Sequence, residues 1–285
     1  MNFYLGCAVW SYKGWIGNFY PPKTQSKNFL RLYSQRLRAV EGNTTFYAVP
    51  EATTIERWVT ETPAGFKFCL KLPREITHNG LLMPSLGAAI AFLERISNLG
   101  DRTGSVFLQL PPSYSPDFLE DLSAFLKSLV KETKALLALE VRHPDWFENS
   151  HANQLNNLLE KLGVARVLLD TRPIYDCPDD PQLACERRKP KVPLQPCLTA
   201  NFSLVRFISH PQQEYNRSFL QEWVTQVDRW LRQGTEIYFF VHCPLEERSP
   251  FTARYFQQLL ERQGVNVPPL PWDRLESPPV QLSLF

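Results

Sequence analysis

The chain has 285 residues, a formal net charge of +2, 44% hydrophobic residues and 13% aromatic ones. That length and apolar content suffice for one large barrel or two small domains, and so small a charge excess excludes a protein built chiefly as a nucleic-acid-binding polycation. No apolar run approaches the ~20 residues needed to cross a bilayer, and the opening MNFYLGCAVWSYKGW lacks the basic region and apolar core of a secretory signal, so a cytoplasmic protein without a membrane partner is expected.

In chain order, eight runs rich in Val, Ile, Leu and Phe recur: FYLGCAV (3–9), RAVEGN (38–43), FKFCLKL (66–72), SVFLQLP (105–111), LLALEVR (136–142), ARVLLD (165–170), SLVRFI (203–208) and IYFFVHC (237–243). Stretches of helical period separate most of them: FLRLYSQRL, TTIERWVTE, SLGAAIAFLERISNL and PDFLEDLSAFLKSLV first, then NQLNNLLEKL, FLQEWVTQVDRWLRQ and FTARYFQQLLER. Gly163, Gly234 and Gly264 follow the last three, where helix stops belong. Alternating strands and helices imply a parallel sheet covered by helices, and eight units imply closure into a single (β/α)8 TIM-type barrel over residues 1–265. The rival is an open doubly wound sheet, but neither GxGxxG nor GxxxxGK[ST] is present to support it. The irregular interval 171–202 reads as a long Pro-rich loop after the sixth strand, either a functional lid or an unstructured segment. Residues 266–285 read as a Pro-rich C-terminal tail.

Chemistry in barrels of this kind sits at the carboxyl ends of the strands. There the runs end in polar residues: Glu41 and Asn43, Lys71, Gln109, Glu140 and Arg142, Asp170, Arg206 and His210, and His242. Residues i and i+2 of a strand share a face, so Glu140 and Arg142 point together while Leu139 and Val141 point at the helices. An unpaired buried charge is costly, so a ring of them is better explained as one polar site than as separate structural ion pairs. Trp10, Tyr12, Tyr47 and Trp146 crowd the same end, as faces for a sugar or base or as loop packing.

Glu41, Glu140, Lys71 and Asp170 are the candidate catalytic residues; Asn43, Gln109, Arg142, Arg206, His78, His210, His242 and the four aromatics are candidates for substrate binding. Arg142, Arg206 and Lys71 suit a phosphate or carboxylate. Glu41 and Glu140 could divide acid and base roles, or form a glycosidase-like pair, if their surroundings separate their pKa values. A Schiff base at Lys71 requires a depressed pKa. No cofactor or metal is assigned. Glu41, Glu140, Asp170, His210 and His242 are types that a divalent ion accepts, but no HxH or HxxxH spacing exists and three cationic side chains would crowd it. Cys177, Cys185 and Cys197 lack zinc-site spacing. The run ERRKPK (186–191) reads as solvated surface or as a phosphate-tracking lid.

Five segments in order, WSYKGWIGNFYP, VEGNTTFYAVP, FKFCLKLPREITH, FLQLPPSY and LEVRHPDWF, resemble the signature segments of the domain of unknown function 72 (YecE-like) family. The likeness covers roughly residues 3–262. It implies a TIM-type barrel, carries no established activity, and maps the family's strand-end motifs onto Glu41, Asn43, Lys71, His78, Gln109, Glu140, Arg142, Trp146, Asp170 and Arg206. Analogy with xylose isomerase and apurinic endonuclease barrels implies phosphate, sugar or nucleic-acid substrates. The chain departs from the family pattern at VRFISHPQQEYN, in place of Arg-x-His-Gly, and at FFVHCPLEERSPF, in place of an Asn-Asn ending. The resulting expectation is an enzyme (hydrolase, lyase or isomerase) using acid/base chemistry on a small phosphorylated or sugar-like substrate. The alternatives are a nucleic-acid binding or processing protein and a non-catalytic ligand-binding scaffold.

Overall fold

The computed structural model describes residues 2–183, 185 and 188–272. Its strands are β1 (Phe3–Cys7), β2 (Ala39–Gly42), β3 (Lys67–Lys71), β4 (Thr103–Gln109), β5 (Leu136–Glu140), β6 (Ala165–Arg166), β7 (Leu168–Asp170), β8 (Phe202–Ile208) and β9 (Glu236–His242). They pair in parallel in the order β6-β5-β4-β3-β2-β1-β9-β8-β7. The helices are α1 (Phe29–Ser34), α2 (Ala52–Glu61), α3 (Arg74–Thr77), α4 (Leu86–Ser97), α5 (Leu119–Glu132), α6 (Asn149–Leu162), α7 (Arg172–Tyr175), α8 (Arg217–Arg232) and α9 (Ser249–Arg262). The architecture is the TIM-type barrel that the strand–helix alternation implies.

Eight staves become nine strands because the sixth breaks at Val167. Its first half, β6, pairs with β5, and its second half, β7, pairs with β8, so the two ends of the sheet order are one stave and the sheet nearly closes. At the break the Thr199 hydroxyl accepts from Arg166 N–H (2.8 Å) and donates to Val164 O (2.8 Å), standing in for the missing neighbour. At the close of α6, Gly163 takes a left-handed φ of 66°, with Val164 N–H reaching back to Leu159 O.

Two layers of apolar contact follow from strand alternation. Inside the barrel Ala39, Cys69, Phe107, Ala138, Phe202 and Phe240 interdigitate, small against large. Leu139 and Val141 belong instead to the larger core between sheet and helices. Gly6, on β1, is required by close approach: a Cβ there would lie 2.0 Å from Ala39 O. After α9 the chain runs back beside that helix, Gln257 Nε2 donating to Pro268 O (3.0 Å), and Trp272 packs on Phe19 with ring centroids 5.3 Å apart. The rest of the expected tail, 273–285, lies outside the described residues. No described helix is long and apolar enough to cross a membrane.

The 171–202 interval carries one short helix, α7, and then follows the surface, with Ile174 and Val192 capping Leu169 and Ile208. Tyr175 OH donates to Lys189 O, and Lys189 N–H donates to Gln182 Oε1 (2.7 Å), which together set where Lys189 stands.

Asp170 is corrected by the strand phase. It pairs in register with Phe207, an outward residue, whereas Leu169 pairs with the inward Arg206. Its carboxylate therefore faces the helices. It accepts from Arg172 Nε (3.0 Å) and Nη2 (2.9 Å) and from Trp223 Nε1 of α8 (2.8 Å). Asp170 is a buried fastener between sheet and helix, outside the barrel mouth. Asp170→Ala leaves both donors without their acceptor and is expected to lower the unfolding free energy by about 2–4 kcal/mol in urea titrations, without altering ligand binding at the mouth.

Candidate active site at the barrel mouth

Inward phase at the ends of β2, β3, β4, β5, β8 and β9 brings Glu41, Lys71, Gln109, Glu140, Arg206 and His242 together, with Asn43 and Arg142 just beyond their strands. Arg206 lies at the centre. Its Nε and Nη2 form a fork on Glu41 (2.8 and 2.9 Å), and its Nη1 donates to Glu140. Glu140 also accepts from Arg142 Nε (2.7 Å). Glu41 also accepts from Asn43 Nδ2 (2.7 Å) and from His242 Nε2 (3.0 Å), the tautomer with a proton on Nε2 being the one a carboxylate selects. On the far side of Arg142, the Gln109 Oε1 accepts from Arg142 Nη2 (2.6 Å) and from Lys71 Nζ (2.9 Å). The Lys71 amine rests over the Phe46 ring, 3.5 Å from its centroid.

Two further groups complete the mouth: Lys189, from the basic run 186–191 that reads in sequence as solvated surface or a phosphate-tracking lid, and Glu246, which no sequence motif marks. Lys189 reaches it from the 171–202 segment. Glu246 comes from a single turn just before α9, Glu246–Arg248. Its Oε1 is buried without a hydrogen-bond partner among the described residues. The aromatics after β1 hold this turn: Trp15 Nε1 donates to Glu246 O (2.9 Å) and Tyr12 OH to Glu247 Oε1 (2.5 Å).

Electrostatics divides these groups into two kinds. Burial alone would push both central glutamates up, but Arg206 overrides it. Glu41 is held well below the usual carboxylate range with help from His242, and Glu140 sits at about 2 with help from Arg142. Burial lowers His242 to about 4 despite Glu41, so it stays neutral at physiological pH. Lys71 is brought to about 7 by burial and then by Arg206, and Lys189 to about 8 by the same two causes. Glu246 moves the other way, pushed by burial up to about 8 while Ser249 and Lys189 offset part of the rise. Three permanent ion pairs, Arg206–Glu41, Arg206–Glu140 and Arg142–Glu140, thus surround three groups whose protons are exchangeable near neutrality.

The remaining expected site residues stand elsewhere. Trp146 is fully buried, its Nε1 donating to Tyr114 O (2.8 Å), and is packing rather than rim. Trp10 lies edge-on to Trp58 and Phe68, while Tyr47 is 71% exposed. His78 lies edge-on to the Phe46 ring, with ring centroids 5.1 Å apart, on the wall of a cavity of about 460 Å³. His210 turns toward the 171–202 segment and donates from Nε2 to Asp179 Oδ1 (3.0 Å). Of the basic run, Arg188 pairs with Asp180 on the surface, and Glu186 and Arg187 lie outside the described residues.

A divalent ion does not fit the mouth, where the oxygens of Glu41 and Glu140 are already engaged by guanidinium groups. Among the described residues Cys177, Asp179 and His210 bring ligand atoms within 4.8 Å of one another. There, however, His210 Nδ1 accepts from Gln212 N–H (3.0 Å), which leaves the proton on Nε2, the atom a metal would need free.

Arg206→Met removes the cation shared by two buried carboxylates, leaving Glu140 with Arg142 and Glu41 with neutral partners, and is expected to cost about 3–5 kcal/mol at neutral pH. The native pair has folded pKa values below the unfolded one of 4.5, so its contribution is complete above that pH and is lost as pH falls toward 2. In the variant, the carboxyls that have lost Arg206, Glu41 above all, take up protons more readily, so the deficit should shrink on acidification to about pH 4. An equal deficit in urea unfolding at both pH values would show that charge is not what the arginine supplies.

The fold and this ring can be set beside known proteins. The model of the family described as "Protein of unknown function DUF72" matches residues 4–275. The chain is 36% identical over 250 residues to UPF0759 protein YecE of Escherichia coli strain K12, covering 87% of this chain and 88% of that one. It is 25% identical over 260 residues to UPF0759 protein YunF of Bacillus subtilis strain 168, covering 82% and 86%. A crystal structure of a DUF72 family protein from Thermotoga maritima superposes with a TM-score of 0.67 at 21% identity, covering 92% of this chain and all of that one. Another, from Enterococcus faecalis, gives 0.68 at 17% identity, covering 91% and 95%. Sequence match along nearly the whole barrel and shared architecture agree: the chain belongs to the DUF72 family of TIM-type barrels, whose activity is uncharacterised.

Proposed function

We propose that this protein is an enzyme that binds a small anionic compound, phosphorylated by preference, at the C-terminal mouth of the barrel and acts on it by proton transfer. The observation that carries this reading is the convergence of Lys71 and Arg142 on one neutral oxygen, Gln109 Oε1. The carboxylates of Glu41 and Glu140 are both taken up by Arg206, and among the described residues the Lys189 ammonium has no hydrogen-bond or ion-pair partner. Cations in excess of carboxylates around a desolvated mouth favour a ligand that brings negative charge.

In this reading Arg142 and Lys189 hold the anion while Glu41 and Glu140 orient the arginines and do not exchange protons. A carboxyl group pinned at about 2 cannot donate near neutral pH. That role falls to Glu246, protonated up to about pH 8. A glycosidase-like pair made of Glu41 and Glu140 is disfavoured, because Arg206 fills the space between them. The nucleic-acid alternative gains no support from the basic run, since Arg188 is paired on the surface and Lys189 turns inward.

Inorganic phosphate and a sugar phosphate should raise the melting temperature, by the equivalent of about 2.7 kcal/mol at a concentration about a hundredfold above Kd. The rise should be larger near pH 6 than near pH 9, because Lys71 and Lys189 lose their charge over that interval while Glu246 gains one. Arg142→Met should reduce it, and a rise unchanged by both pH and this substitution would remove the mouth as the binding site.

Glu246→Gln supplies a separate test by stability. The folded pKa of Glu246 lies above its unfolded value of 4.5, so its stabilising contribution is complete below that pH and is lost as pH rises through about 8. The variant, which does not titrate, should therefore be more stable than wild type in denaturant unfolding above that pH. Equal stability there would mean that the carboxyl group is not held in an unfavourable setting.

A further inference from the structure

We propose that Lys71 is an imine-forming lysine, and that the compounds this site acts on are small anionic aldehydes or ketones. This assignment deepens the anion-binding reading and rests on it. Lys71 is the last residue of β3, its side chain directed into the mouth and only 5% exposed. Its amine contacts the amide oxygen of Gln109 and the face of Phe46, and it has no carboxylate partner, because Glu41 and Glu140 are bonded to arginines. A lysine retained for charge alone would be paired, or would serve better as the always-charged fork of an arginine. A buried amine beside other cations and without a carboxylate partner is instead the arrangement that frees the lone pair for attack on carbonyl carbon.

The surroundings agree with that use. Burial, then the charge of Arg206, bring the Lys71 amine to about 7, with Arg142 adding to the fall and Glu140 opposing it. Relative to an ordinary lysine with a pKa of about 10.4, the neutral fraction at pH 7 is larger by on the order of a thousandfold. Arg142 donates to the same Gln109 oxygen, so an anionic group held on its guanidinium places the rest of a small molecule next to Nζ. The Phe46 ring, 3.5 Å from Nζ at its centroid, also lines the neighbouring cavity of about 460 Å³ whose wall carries His78 and Arg74.

The chemistry balances without a further reagent. The Nζ lone pair forms the C–N bond as the carbonyl π electrons move to oxygen. The carbinolamine then expels that oxygen as water, whose two hydrogens come, in net, from the amine, and C=N remains. Protonated, this imine withdraws electrons from the adjacent carbon and makes its C–H acidic, which links the amine to the proton-transfer chemistry proposed for the same mouth.

The test is reductive trapping on the full chain. Pyruvate and dihydroxyacetone phosphate are each incubated with the protein and sodium cyanoborohydride, and adducts are located by peptide mass mapping, with the exposed Lys127 as internal reference. The Lys71 peptide should gain the reduced adduct about tenfold or more faster than the Lys127 peptide, with a rate that rises through about pH 7 and then levels. Lys71→Arg, which keeps a cation, should lose that adduct while still showing the phosphate-induced rise in melting temperature. Adducts no faster at Lys71 than at Lys127, or a rate still climbing toward pH 10 as for an ordinary lysine, overturn the imine and leave anion binding standing if phosphate still stabilises the protein. Absence of both adduct and phosphate effect overturns the two together.

Discussion

The fork of Arg206 between Glu41 and Glu140 is the constraint on which the rest of the mouth depends. Three charges from three different strands meet out of water, and the desolvation they suffer is large enough that well-packed apolar side chains would serve stability equally well. Position is what the ion triad supplies. Glu140, once oriented by Arg206, orients Arg142, and Arg142 in turn fixes Gln109 and the reach of Lys71. Glu41, on the other side, aligns Asn43 and selects the tautomer of His242. One guanidinium thereby sets the geometry of most of the ring.

The same arrangement separates groups that hold still from groups that exchange protons. Carboxylates with strong cationic partners are ionised at any physiological pH, whereas Lys71, Lys189 and Glu246 are desolvated without strong partners and drift toward neutrality. Glu246 depends on elements far away in sequence. Its turn is tied down by Trp15 and Tyr12 from the segment after β1, so those aromatics act as supports for a carboxyl group more than as surfaces for a ligand. His242 makes a hydrogen bond to Glu41 that an amide could also make.

Much of this was legible one strand at a time. Two-residue alternation assigned Glu41, Lys71, Gln109, Glu140, Arg142, Arg206 and His242 to the inner face, because a strand whose other face packs on helices leaves no other place for polar groups. Asp170 has the opposite phase. In ARVLLD the small and branched residues Ala165, Val167 and Leu169 fill the barrel, so Arg166 and Asp170 share the opposite phase and bond to the helices and loops outside. Trp146 and His210 misled for a different reason. Both follow a strand end closely, but the direction a side chain takes after a strand has stopped is set by the loop and not by the pleat.

Length, alternation and strand-end chemistry by themselves determined the barrel, its eight staves and the polar character of one end, since these follow from local periodicity and from the cost of burying charge. Only the tertiary structure decided which charges cancel and which remain. Arg206 and Glu41 are 165 residues apart in sequence, and Lys189 and Glu246 arrive from segments without any strand or helix period to announce them. Pairing, desolvation and hence pKa depend on distances between such segments, and no local pattern encodes those.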